Sequence, residues 1–220
     1  MCVESADDSV AEADQFQRPA IAEVHRVLRE NRALLVHFSG TPPMTTSGLD
    51  PRQYPDDLTN VYNGHCNSGV SSSTVMPGDK FGAVDGSNAA GCVGLILRPA
   101  SEKSILAAEN HDIGSRFEGG RRIYDPKYTH KDIDADGLAA TISTRSSSGY
   151  NEWGVHDFTV IGILAMEPLE VNCTGPSPKT TLSAIADLFP DLALYQFAED
   201  GLVRLEGSSW VKANFSDLYP

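Results

Sequence analysis

Two short segments, 115 residues apart at their key side chains, hold the residue types with the most chemical potential. In the first, Leu35-Val36-His37-Phe38-Ser39-Gly40, an apolar run ends on a histidine, an aromatic and a turn. In the second, Gly149-Tyr150-Asn151-Glu152-Trp153-Gly154-Val155-His156-Asp157, a glutamate opens an apolar stretch just after a tyrosine. A carboxylate so placed can accept a hydrogen bond from a sugar hydroxyl. It can also stabilise positive charge growing at an anomeric carbon, the chemistry of glycosyl transfer. Taken singly, each residue has an ordinary explanation. A strand-end histidine is by default a core-edge side chain with a satisfied hydrogen bond, and a strand-edge glutamate is by default solvated. Their joint presence at the edges of two apolar segments promotes both.

Other chemistries find less support. There is no Gly-x-Gly-x-x-Gly after a strand, no phosphate-cradling Gly-x-x-x-x-Gly-Lys loop and no Gly-x-Ser-x-Gly elbow. His111-Asp112 and His156-Asp157 are adjacent pairs, whose side chains in a strand face opposite ways. The four cysteines, Cys2, Cys66, Cys92 and Cys173, form no Cys-x-x-Cys pair, and no metal-ligand spacing of His is present, so no metal is expected. Cys66 beside His65, or Cys92, offers the most distant alternative, a thiol-nucleophile hydrolase. Arg116, Arg121 and Arg122 have the charge to hold phosphates, although a solvated loop accounts for them equally well.

The elements that must position these residues mix irregularly. Pro19 opens a helix to about Arg32, with Ile21, Val24 and Leu28 on one face. Ala33–Phe38 and Cys92–Leu97 are buried strands. Residues 40–90 are rich in Gly, Pro, Ser and Asn and are expected to hold at most short strands or turns. Ser101 is an N-cap candidate for a helix to about Glu109. Residues 110–149 are again polar. Glu152–His156 and Val160 to about Val171 are strand candidates. Pro178 begins a helix through Leu188, and Asp191 caps another to about Glu199. Leu202–Leu205 and Trp210–Lys212 close the chain as strands. This order implies an α+β fold rather than a regular βαβ winding.

Length and composition fit one domain: 220 residues, 40% hydrophobic and 21% charged. Residues 1–17 are acidic and read as a disordered tail, leaving 18–220 as the domain. The net charge of −13 argues against a nucleic-acid or anionic-lipid surface and suits a basic protein partner. The first residues lack the basic start and apolar run of a secretory leader, and no stretch has the ~20 apolar residues of a membrane span.

The two segments together resemble the ADP-ribosyltransferase superfamily, in its diphtheria-toxin and PARP-like branch. The resemblance rests on His37-Phe38-Ser39-Gly40 and on Tyr150-Asn151-Glu152-Trp153, in that order. It implies two small antiparallel sheets in a split sandwich with helices around them, and NAD as co-substrate in the cleft. It implies Glu152 as the catalytic carboxylate, His37 on the adenosine ribose, and the backbone around Phe38, Ser39 and Gly40 on the nicotinamide carboxamide. An aromatic ring should stack on nicotinamide, with Tyr62, Phe81, Tyr124 and Tyr150 as candidates. Ser71-Ser72-Ser73-Thr74 resembles the Ser-Thr-Ser of many toxins of this superfamily, whose hydroxyls brace the glutamate. On that likeness Ser72, Ser73 and Thr74 join the NAD-binding set.

The chain departs from the arginine-specific toxins in carrying His37 where they have Arg, and Tyr150 two residues before the glutamate instead of an acid. That points away from arginine as acceptor. The expected activity is mono-ADP-ribosylation of a protein, for which a hydroxyl side chain on ubiquitin is one acceptor. The expected setting is a soluble, monomeric bacterial effector or toxin, secreted without a signal peptide into a target-cell cytosol. Two alternatives stay within the fold: a nucleic-acid ADP-ribosyltransferase and a non-enzymatic binding domain.

Overall fold

The computed structural model describes residues 19–38, 55–64, 69–79, 93–111, 113, 115–118, 121–124, 133–144, 151–167, 169, 180–199 and 201–220. Among them are eleven strands and five α-helices, with nine of the strands in one mixed sheet. Helix α1 (Ile21–Glu30) buries Val24, Val27 and Leu28 at helical spacing. Its opposite face carries the Glu23–Arg26 and Arg26–Glu30 ion pairs. The helix ends where Arg32 takes a positive φ of 52°. Ala33 N–H then returns to Leu28 O and Arg32 N–H to Arg29 O, which satisfies two terminal carbonyls and turns the chain into β1.

Strand β1 (Leu34–Phe38) is buried along its whole length, and so is β3 (Val93–Pro99) apart from Arg98. Continuous apolar runs of this kind are what a strand covered on both faces needs. Between them in sequence come α2 (Asp56–Tyr62) and β2 (Val70–Val75). After β3 a single 3-10 turn at Glu102–Ser104 leads into β4 (Ile105–Glu109). A separate hairpin, β5 (Ser115–Glu118) and β6 (Arg121–Tyr124), precedes α3 (Ala135–Ser143). Then follow β7 (Glu152–Val155), β8 (Phe158–Ala165), α4 (Leu182–Leu188), β9 (Leu194–Ala198), β10 (Gly201–Glu206), β11 (Ser209–Lys212) and α5 (Phe215–Leu218).

The sheet order is β11-β10-β9-β8-β3-β1-β2-β7-β4. Every neighbouring pair is antiparallel except β8 with β9. At its centre β1 divides its pairing: Leu34–Val36 face β2, while Val36–Phe38 face β3. On the β3 side, the rung beyond Val36 would set Leu35 opposite Leu97. The buried Tyr219 hydroxyl fills it instead, accepting from Leu35 N–H at 2.8 Å and donating to Leu97 O at 3.2 Å. Close approach at the other end requires Gly94 opposite Phe38. A Cβ there would lie 2.5 Å from Val36 Cγ1 and 2.9 Å from His37 O.

Several expectations are corrected. Residues 105–109 are a strand, not a helix, and Leu194–Ala198 is a strand where a helix from Asp191 was expected. The Ser101 cap does exist, with a capping box to Ser104, but it closes one 3-10 turn only. The stretch 40–90 holds a helix and a central six-residue strand, and 110–149 holds a hairpin and α3. The strand from Val160 begins at Phe158 and ends at Ala165. The acidic tail 1–17 lies outside the described residues.

Candidate active site

Glu152 is the first residue of β7 and is only 2% exposed. Its carboxylate accepts from Ser71 Oγ at 2.5 Å and from Ile113 N–H at 3.0 Å. Ser71 reaches it by strand alternation. Ser71 lies opposite Gly154, and Gly154 shares a face with Glu152 two residues earlier. Ile113 reaches it because the chain leaving β4 folds over the start of β7, which β4 flanks with Glu109 directly opposite Glu152.

His37 reaches the same serine from the other side. Its Nδ1 lies 2.7 Å from Ser71 O. A carbonyl only accepts, so Nδ1 carries the hydrogen. The contact sits where the β1–β2 ladder has ended, one residue past Val36 opposite Ser73. The imidazole therefore takes up a carbonyl that would otherwise lack a strand partner. The other ring nitrogen, Nε2, lies 3.2 Å from Asp57 Oδ2 on α2. That separation suits an ion pair, but the contact is not directed as a hydrogen bond, and Nε2 is without a hydrogen-bond partner. Ser72 Oγ, opposite His37 if the register is continued, is also buried without one.

Counting alternation through Val36–Ser73 and Ser71–Gly154 places His37 and Glu152 on opposite faces of the sheet. Ser71 joins them, its hydroxyl to the carboxylate and its carbonyl to the imidazole.

Asn151 holds this arrangement from behind and is fully buried. Its side-chain oxygen accepts from Ser73 Oγ at 3.0 Å and Thr74 N–H at 2.9 Å. Its amide donates to Thr74 Oγ1 at 2.8 Å and to Thr141 O at 3.1 Å. Trp153 Nε1 donates to Thr141 Oγ1 at 2.8 Å. The residues on either side of Glu152 are thus locked to β2 and to α3, so the carboxylate projects from a fixed backbone.

Of the serine–threonine run, Ser71 contacts Glu152, Ser73 and Thr74 serve Asn151, and Ser72 faces the side of Trp153. Phe38, 7% exposed, ends β1. Ser39, Gly40, Tyr150, Phe81, Cys66 and Cys92 lie outside the described residues, as do the side chains of Tyr124, Arg116, Arg121 and Arg122. Tyr62 packs edge-on against Phe189 at 5.3 Å and donates to Asp191 Oδ2 at 3.3 Å. Burial, then the Asp191 charge, push its phenol upward. His156 holds the β7–β8 turn, with Nε2 2.6 Å from Lys103 O.

Sequence reasoning missed Asp57 and the scaffolding role of Asn151. Asp57 offers no signal, being one of two acids that open a short helix. Asn151 stood within the motif, and a polar amide beside an apolar strand was the available hint. Among the described residues, no group of three or more His, Cys, Asp and Glu has the arrangement to hold a metal. None of their helices is long and apolar enough to cross a membrane.

The chain matches no protein-family model, no curated protein and no solved structure.

Proposed function

We propose that this chain is an ADP-ribosyltransferase that cleaves NAD and passes ADP-ribose to a protein. The observation that carries the reading is the Ser71 junction. Glu152, singled out by type and motif, is braced by the Ser71 hydroxyl, and His37, 115 positions earlier, binds the backbone carbonyl of the same serine from the opposite face of the sheet. Breaking the bond between nicotinamide and ribose places positive charge on the ribose. A buried carboxylate held by two donors is pre-organised to stabilise that charge and to accept from the ribose 2′-hydroxyl. Leaving nicotinamide takes the electron pair of the C1′–N bond, and the acceptor's nucleophile forms the new bond to C1′. Ser72 Oγ, buried without a hydrogen-bond partner, has the capacity to bind a polar ligand such as a sugar hydroxyl, which can donate and accept.

The finer architecture proposed is a split β-sandwich hinged on β1, with β4-β7-β2 on one side and β3-β8-β9-β10-β11 on the other. Support comes from the divided pairing of β1, from Tyr219 in place of one rung and from His37 capping Ser71. NAD would lie where β1 and β2 part. The net charge of −13 favours a protein acceptor with basic surface over nucleic acid. A hydroxyl side chain, as on ubiquitin, fits the lack of an acidic residue two positions before Glu152. The activity belongs to an effector acting inside another cell.

Incubation with NAD labelled in its adenylate half and a cell lysate tests the reading. Wild type is expected to label a protein band and to release nicotinamide, and Glu152→Ala to do neither. Mass spectrometry of the band identifies acceptor and residue. Absence of both label and nicotinamide with wild type would overturn the proposal.

A further inference from the structure

Glu152 has a second carboxylate as its direct partner. The β4–β7 register sets Glu109 opposite Glu152, so the two side chains leave the same face of one rung, with Cβ atoms about 4.5–5.5 Å apart. Like charges opposed in this way ordinarily destabilise a sheet. Their surroundings differ: Glu152 is buried and held by Ser71 and Ile113, whereas Glu109 is half-buried. Glu109 also ends β4, the terminal strand of the nine, so it can be approached from the sheet edge. The chain beyond it is anchored, because Asn110 Nδ2 donates to Thr144 O at 3.0 Å and Thr144 Oγ1 at 3.1 Å. Paired carboxylates in unlike environments divide into unlike roles.

Resting on the transferase reading above, we propose that Glu109 is the general base that activates a hydroxyl acceptor. Glu152 stabilises the ribosyl cation from the interior, and Glu109 serves the nucleophile arriving at the edge. In the step, the acceptor oxygen bonds to C1′ and its proton passes to a Glu109 carboxylate oxygen. The C1′–N bond breaks and its electron pair leaves with nicotinamide. Water can take the acceptor's place in the same step, giving free ADP-ribose. An anionic nucleophile has no proton to lose and needs no base.

That difference supplies the test, which uses the full chain with NAD and needs no knowledge of the natural acceptor. Nicotinamide release is measured for wild type, Glu109→Gln, Glu109→Ala and Glu152→Gln, with and without sodium azide. Loss of a general base should lower release into water about a hundredfold or more in both Glu109 variants. Azide should restore turnover in Glu109→Ala and yield ADP-ribosyl azide, while Glu152→Gln stays inactive with azide. A thermal melt of each variant, with midpoints near wild type, separates a lost base from a lost fold. Undiminished release by Glu109→Gln would overturn the assignment, and so would a loss that azide does not restore in Glu109→Ala. A wild type that releases no nicotinamide would overturn the underlying reading and this inference with it.

Discussion

Replacing Asn151 with alanine tests how the site is held. The side chain is completely buried and makes four hydrogen bonds, two accepted and two donated. Its loss costs these groups unequally. Ser73 and Thr74 hydroxyls can rotate toward other partners, but Thr74 N–H and Thr141 C=O are fixed by the backbone and lose the amide as a partner. A buried backbone group left unpaired costs about 1–3 kcal/mol, so the pair costs about 2–6 kcal/mol. That is a large share of the roughly 5–15 kcal/mol that holds a domain together. Urea denaturation followed by tryptophan fluorescence reads it directly. With a slope of about 3 kcal/mol per M, the midpoint should fall by about 0.7–2 M. Ser73→Ala removes a single neutral side-chain bond and should cost only about 0.5–1.5 kcal/mol. Asn151→Asp keeps the acceptors but loses both donations and brings a charge toward Thr141 O, so it should be no milder than alanine. A shift under about 0.5 kcal/mol for Asn151→Ala would refute the claim that this amide locks β7 to β2 and α3.

Two further outcomes follow from named contacts. Ser71→Ala removes the hydroxyl that orients Glu152; nicotinamide release by the folded protein should fall about ten- to a hundredfold, and because the bond runs to a buried carboxylate the variant should also lose about 1.5–3 kcal/mol of stability. Tyr219→Phe removes the hydroxyl that stands in for a β1–β3 rung and should cost about 1–3 kcal/mol at neutral pH. Burial pushes the Tyr219 phenol up from its ordinary value of 10.0, so the folded state keeps a proton that the unfolded chain releases. Its contribution is therefore complete below pH 10 and is lost as pH rises further, and the gap between wild type and Tyr219→Phe should narrow above pH 10 by about 1.4 kcal/mol per pH unit. Parallel stability curves across that range would contradict it.

The sequence declared some elements and hid others for identifiable reasons. Strands β1 and β3 were legible because both faces are covered, which demands an unbroken apolar run. Strand β2 was not, because Ser71-Ser72-Ser73-Thr74 has loop composition. It is a central strand because the hydroxyls of Ser71, Ser73 and Thr74 find buried partners in Glu152 and Asn151 that no local pattern displays. At Ser101 the local helix signal was real, but pairing with β7 took over within one turn. Leu194–Ala198 is drawn into strand form by parallel pairing with β8 and by Gly162, where a Cβ would lie 2.6 Å from the Tyr195 ring. For the site, the order and types of His37 and Glu152 were readable. Their junction at Ser71 and the Asp57 carboxylate beside His37 depend on register, which only the fold supplies.

The central claim is that Glu152 carries the cleavage of NAD. Its most direct test is nicotinamide release by the purified chain, wild type against Glu152→Gln, a substitution that preserves shape and removes charge. Wild type should release nicotinamide, and the variant should do so about a hundred- to a thousandfold more slowly, the effect of losing one transition-state electrostatic contact. Equal rates from two equally folded proteins would contradict the account.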